Sequence, residues 1–136
     1  MYKRQGETWQ DGGICEVLPD GAQDRDYGCM GGLVRLPVKG RDILLYSNCD
    51  SDTGRKQGTI WGSFDGGKTW PIKRLIYEGQ FAYSSLNVGR PETGSEGWVY
   101  LHVESEGGSK VARFNLSWLL EGELTGDGHI PVELAR

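Results

Sequence analysis

The chain repeats itself with a period of roughly 60 residues, and each copy alternates apolar with polar residues before closing in a glycine-rich turn. In the first copy, Gly6-Glu7-Thr8-Trp9 is followed by Leu18, then Tyr27-Gly28-Cys29-Met30-Gly31-Gly32-Leu33, then Asp42-Ile43-Leu44-Leu45-Tyr46-Ser47. In the second, Gly67-Lys68-Thr69-Trp70 is followed by Leu75, then Phe81-Ala82-Tyr83-Ser84-Ser85-Leu86, then Trp98-Val99-Tyr100-Leu101-His102-Val103. Met30 and Tyr83 thereby fall opposite each other at the start of equivalent strands. The first turn is degenerate, with Tyr2 and Arg4 where Ser63 and Asp65 stand in the second.

The intact turn, Ser63-Phe64-Asp65-Gly66-Gly67-Lys68-Thr69-Trp70, reads as a hairpin: its glycines supply positive φ and Asp65 supplies a side-chain acceptor. The flanking runs Gly58-Thr59-Ile60-Trp61-Gly62 and Pro71-Ile72-Lys73-Arg74-Leu75-Ile76 carry the β-branched and aromatic residues of its strands. Asp65 is therefore expected to cap the turn rather than to catalyse. About four short strands per unit mark a blade of a β-propeller, in which strands pair within the unit and faces pack on neighbours. Propellers close with about four to eight blades, so two units read as the C-terminal part of a longer protein.

Composition agrees with an all-β reading. Twenty-two glycines in 136 residues are about 16%, more than double the usual ~7%, and five Trp and six Tyr suit short strands between tight turns. The net charge of −4 leaves no basic excess to attract nucleic acid or an anionic membrane. The longest apolar stretches, such as Ile43-Leu44-Leu45-Tyr46, fall far short of the roughly 18 residues of a membrane span, so a soluble chain is expected. Cys15, Cys29 and Cys49 lack the spacing of a zinc or redox motif. Structural thiols, or one disulfide with a free thiol, both remain open. The polar N-terminus shows no signal peptide, which favours the cytoplasm for a whole protein and means nothing for a fragment.

Towards the C-terminus, Lys110-Val111-Ala112-Arg113-Phe114-Asn115 reads as a last strand and Leu116 to Glu121 as a short helix with Asn115 near its cap. Residues 1–122 are read as the folded part and 123–136 as a loose polar tail. The loops Asn48 to Gly58 and Asn87 to Gly97 gather Gly, Pro and charge, where function usually sits.

These residues resemble the exo-α-sialidase (neuraminidase) family. Ser63-x-Asp65-x-Gly67-x-Thr69-Trp70 looks like its Asp-box, the bacterial neuraminidase repeat. The resemblance lies in an ordered set: Leu45-Tyr46-Ser47-Asn48, Arg55-x-x-Gly58-Thr59, the box, Ala82-Tyr83-Ser84-Ser85-Leu86, Glu104, and Ala112-Arg113-Phe114-Asn115-Leu116-Ser117-Trp118-Leu119. It runs from about Tyr27 to Leu120 and implies an all-β fold, part of a six-bladed propeller, with retaining hydrolysis of terminal sialic acids on glycoconjugates. It also implies an extracellular or periplasmic protein with no cofactor, and no metal is expected in hydrolysis.

By position, the resemblance puts Tyr83 on the nucleophile and Arg55 on the last of three arginines that grip the substrate carboxylate. Glu104, counted with Tyr83 in the catalytic set, matches the acid that holds another of those arginines, and Met30 is a candidate for the pocket floor. The chemistry suits these residue types. A carboxylate nucleophile would approach the substrate carboxylate at a cost of ~1 to 4 kcal/mol at 4 Å, which a neutral tyrosine avoids. A phenol with a reference pKa near ~10 then needs an adjacent base. The arginine fork gives a carboxylate two parallel charge-assisted hydrogen bonds, which favours Arg55 over Lys56.

The first two arginines, the acid/base aspartate and the glutamate partner of the tyrosine are expected upstream of this chain. The isolated chain is then expected to be inactive. Alternatives are a non-catalytic propeller that binds glycans or proteins, and a trans-sialidase or a hydrolase of a related acidic keto-sugar. His102, between Leu101 and Val103, His129 and the pair Glu104 and Glu106 carry no separate catalytic or metal signal.

Overall fold

The structure, a computed structural model, describes residues 12–19 and 29–135. The degenerate turn at Gly6 to Trp9 and the pair Tyr27-Gly28 lie outside them.

Among the described residues, eight strands and one helix follow in order: β1 (Gly32–Arg35), β2 (Leu44–Cys49), β3 (Lys56–Ser63), β4 (Ile72–Gln80), β5 (Ser84–Val88), β6 (Trp98–Ser105), β7 (Gly108–Asn115), α1 (Leu116–Leu120) and β8 (Glu123–Leu124). They form two antiparallel sheets, β1-β2-β3-β4-β8 and β5-β6-β7, neither closed into a barrel. No helix among the described residues is long and apolar enough to cross a membrane.

The hairpins form where the turn residues demand them. Gly66 and Gly67 adopt φ of 77° and 93°, a region cheap for glycine. Asp65 fills the turn: its Oδ1 accepts from the Ser63 hydroxyl at 2.9 Å and from the Lys68 and Thr69 backbone N–H at 3.0 Å, and its Oδ2 accepts from the Thr69 hydroxyl at 2.6 Å. Burial pushes the Asp65 carboxyl up, but these hydrogen bonds outweigh it and hold the group below the ordinary carboxylate range. Asp65 is thus a turn residue, as the sequence suggests. The β6–β7 hairpin turns on Glu106 and Gly107, both at positive φ, with Ser105 paired to Gly108.

Alternation sets the core. Along β6, Val99, Leu101, Val103 and Ser105 are buried while His102 and Glu104 face solvent, the period of two that a half-buried strand requires. The inward faces of the two sheets bury Leu45, Ile60, Ile72, Phe81, Leu101 and Phe114, each stabilising the fold by roughly 1.5–3 kcal/mol relative to exposure. Helix α1 starts at Asn115, whose side chain accepts from the Trp118 N–H at 2.9 Å, and it drops Leu119 into the same core.

The two sheets meet most closely at β1 and β5. A side chain on Gly32 would meet the Ser47 hydroxyl at 2.7 Å and the Leu86 backbone nitrogen at 2.8 Å, so only glycine admits this approach. Beside it the buried hydroxyls of Ser47 and Ser84 lie 2.8 Å apart, and the Ser84 hydroxyl also reaches the Ser47 carbonyl at 3.2 Å.

One expectation is corrected. The stretch from Glu123 is not loose: β8 pairs with β4, the Thr125 N–H and hydroxyl donate to the Pro71 and Trp70 carbonyls at 3.0 and 2.6 Å, and the Asp127 carboxylate accepts from the Trp70 N–H at 2.7 Å. Ile130 and Leu134 pack against the core. Backbone groups left open at the end of the β3–β4 turn need partners, and a polar segment supplies them as well as an apolar one would.

Candidate active site

Four segments distant in the sequence converge at one end of the β1–β5 junction, and main-chain hydrogen bonds draw them together. The Phe81 N–H donates to the Arg55 carbonyl at 2.9 Å, the Ala82 N–H to the Glu104 carbonyl at 3.0 Å, the Glu104 N–H to the Tyr83 carbonyl at 3.0 Å, and the Ser84 N–H to the Met30 carbonyl at 3.2 Å. Met30, Arg55, Tyr83 and Glu104 are therefore neighbours through their backbones, whatever their side chains do.

The strand that delivers Arg55 is irregular for a local reason. The β3–β4 register shifts on both sides of Gly58, and Gln57 takes a φ of 59°, so β3 bulges where it leaves the Arg55 loop. The buried Phe81 ring occupies the space a Gly58 side chain would need, with its Cδ2 only 1.9 Å from that position. Bulge, glycine and ring together aim the Arg55 loop towards Tyr83.

The side chains meet as well. The Arg55 guanidinium lies over the Tyr83 ring, its central carbon 5.1 Å from the ring centre, within the range of cation–π attraction. A hydrogen bond to the Tyr83 side chain is the main cause that raises the Arg55 pKa above its ordinary value; desolvation opposes it, and the charges of Cys29, Tyr83 and Glu104 add to it. Tyr83 is 47% exposed and Met30 71%, so both remain open to a ligand. Arg55 and Glu104 are exposed too.

Behind this open face lies a buried polar layer that sequence reasoning missed. Asn48, wholly buried, places its amide nitrogen 2.9 Å from the Cys29 carbonyl, 3.0 Å from the Pro19 carbonyl and 2.7 Å from the Tyr46 hydroxyl, while its oxygen accepts from the Cys49 N–H at 2.9 Å. Asn48 thus holds the backbone next to Met30. Ser47 and Ser84 do the same beneath Tyr83. The Cys29 thiol, 3.5 Å from the Cys49 sulfur, is pushed up to about 12 by burial, by its hydrogen bond and charge interaction with Cys49 and by Glu104, against the opposing pull of Arg55. The signal for this layer was the run of small residues at Gly31-Gly32, Ser47 and Ser84-Ser85, which lets backbones approach.

In chemical terms the site offers a cationic fork and a phenol side by side on an accessible face, which suits recognition of an anion next to a nucleophile. Among the described residues, no three His, Cys, Asp or Glu side chains are grouped closely enough to hold a metal ion.

Comparison with known proteins gives this arrangement relatives. No family model matches the chain. A sialidase of Micromonospora viridifaciens is 43% identical over 77 residues, which are 57% of this chain and 11% of that protein. A sialidase of Bacteroides fragilis (strain YCH46) is 33% identical over 101 residues, 68% of this chain and 18% of that protein. Among solved structures, the Hadza microbial sialidase Hz136 superposes with a TM-score of 0.56 at 33% identity, covering 70% of this chain and 19% of the other. The chain thus spans less than a fifth of the length of each relative. Over the stretch that these matches cover, the chain belongs to the sialidase family.

Proposed function

We propose that this chain forms the part of an exo-α-sialidase that presents the nucleophile. In this reading the longer protein removes terminal sialic acids from glycoconjugates with retention of configuration, outside the cell or in the periplasm. The two sheets are consecutive blades of a six-bladed propeller, with residues 123–136 as its C-terminal extension. Tyr83 attacks the anomeric carbon, Arg55 grips the carboxylate attached to that carbon, Glu104 orients another arginine, and Met30 lines the floor beside the sugar.

The observation that supports this most is the stacking of the Arg55 guanidinium over the Tyr83 ring at 5.1 Å. An arginine there holds the substrate's acid group while leaving the phenol in reach of the carbon next to it, which is the geometry that intramolecular-like attack needs. The tyrosine's neutrality removes the like-charge cost that a carboxylate nucleophile would meet. The acid/base group, the base for the phenol and the other arginines come from parts of the protein outside this chain, so the chain alone binds sialic acid weakly and hydrolyses nothing.

The test uses a fluorogenic sialoside. In the full-length protein, Tyr83→Phe is expected to slow hydrolysis severely, and the isolated 136-residue chain is expected to release no fluorophore. An unchanged Tyr83→Phe rate removes the tyrosine from the nucleophile's role. Turnover by the chain alone, abolished by Tyr83→Phe, overturns the division of labour.

A further inference from the structure

We propose that Cys29 and Cys49 are a redox pair, forming a disulfide that clamps the wall behind the candidate site. Their sulfurs lie 3.5 Å apart, and a disulfide requires them to close by about 1.5 Å, a movement that side-chain rotation supplies. The backbone on both sides is already set. Cys49 ends β2 and is wholly buried, with its N–H bound by Asn48, and the same Asn48 side chain holds the Cys29 carbonyl at 2.9 Å. The pair therefore meets without a change in strand register, since β1 and β2 are already paired from Gly32 and Ser47 onwards. The third cysteine, Cys15, is an exposed free thiol.

Access differs between the two thiols, and this sets the order of chemistry. Cys29 is partly exposed, while Cys49 lies behind it. A small peroxide oxidant reaches Cys29 first. The Cys29 thiol gives up its proton as its sulfur attacks one peroxide oxygen; the O–O bond breaks, and the departing oxygen takes that proton and leaves as water, with Cys29 now a sulfenic acid. The Cys49 sulfur then attacks the Cys29 sulfur, the S–O bond breaks, and the hydroxyl leaves as water with the Cys49 proton. Two thiols lose two electrons and two protons, and one peroxide becomes two waters. The raised pKa of Cys29 slows every oxidant alike, while its partial burial admits a small peroxide more readily than a bulky disulfide reagent.

The bond would matter to the site. It joins the segment that carries Met30 to the end of β2, from which the loop to Arg55 departs. Closing a loop between residues 20 apart in the chain restricts the unfolded state, and the oxidised form is expected to melt roughly 10 °C higher.

The experiment is peptide mapping of the 136-residue chain after a stoichiometric dose of hydrogen peroxide, alkylation in denaturant and digestion with trypsin. The three cysteines fall on separate peptides, 5–25, 26–35 and 42–55. The expected product is peptide 26–35 joined to 42–55 with the loss of two hydrogens, with Cys15 alkylated and a raised melting temperature. Complete alkylation of both Cys29 and Cys49, over-oxidation of Cys29 beside an alkylated Cys49, or cross-links through Cys15 would each overturn the proposal. Cys49→Ala is a second arm: Cys29 should then stop at a sulfenic acid that dimedone traps, and its absence also counts against the pair.

Discussion

The Arg55 guanidinium covers the Tyr83 ring at 5.1 Å, and the Arg55 carbonyl accepts from the N–H of Phe81, two residues before Tyr83, at 2.9 Å. The main-chain bond sets the distance at which the side chains meet. The loop residue is thereby tied to the segment that carries Tyr83, and a group that orients a substrate depends on such a tie.

Gly58 makes that relation possible, and its replacement should show it. Gly58→Ala drives a methyl into the Phe81 ring, so the ring and the segment leading to Tyr83 must shift. A loss of about 1–3 kcal/mol is expected from overpacking of this kind, read from urea unfolding of the isolated chain. A loss below about 0.5 kcal/mol would mean that Phe81 moves freely and does not fix Tyr83.

Asp65 gives a prediction with a pH sign. Its folded pKa is depressed, so the stability it contributes is fully present above the unfolded value of about 4 and is lost as pH falls through the folded value. Asp65→Ala should cost about 1 kcal/mol at neutral pH, the low end for charge-assisted bonds because the residue is exposed. The variant should also lose less stability than the parent between pH 5 and pH 2. Parallel acid profiles for the two proteins would show that the turn does not draw on the ionised carboxylate.

Arg55 is chosen for its shape as well as its charge. In the full-length protein Arg55→Lys keeps the charge and removes the fork, and KM is expected to rise about tenfold, with Arg55→Ala worse. Steady-state kinetics on a sialoside measures this. A KM unchanged by Arg55→Lys would show that a point charge is enough and that no bidentate grip is made there.

Local chemistry was the legible part of the fold. The Ser63 to Trp70 turn, the alternation in β6 and the Asn115 cap each depend on residues within a few positions of one another, so spacing alone reveals them. Arg55, Tyr83 and Glu104 could be named from an ordered motif and Met30 from the repeat that sets it opposite Tyr83, yet nothing in their spacing says that they touch; four main-chain hydrogen bonds between separate segments do that. The Cys29 and Cys49 pair, the Ser47 and Ser84 hydroxyls and the Asn48 node stayed hidden because each needs the β1–β2 register or the β1–β5 approach to be known first. The docking of Thr125 and Asp127 left no trace either, since hydrogen bonds to an open main chain impose no periodicity.

The most direct measurement is covalent capture. A sialic acid derivative with a good leaving group and a fluorine beside the anomeric carbon forms the glycosyl–enzyme bond and breaks it down slowly, so the full-length protein can be digested and its labelled peptide sequenced. The label is expected on the Tyr83 oxygen, and Tyr83→Phe is expected to take up none. A label on a carboxylate residue, or equal labelling of Tyr83→Phe, would contradict the account.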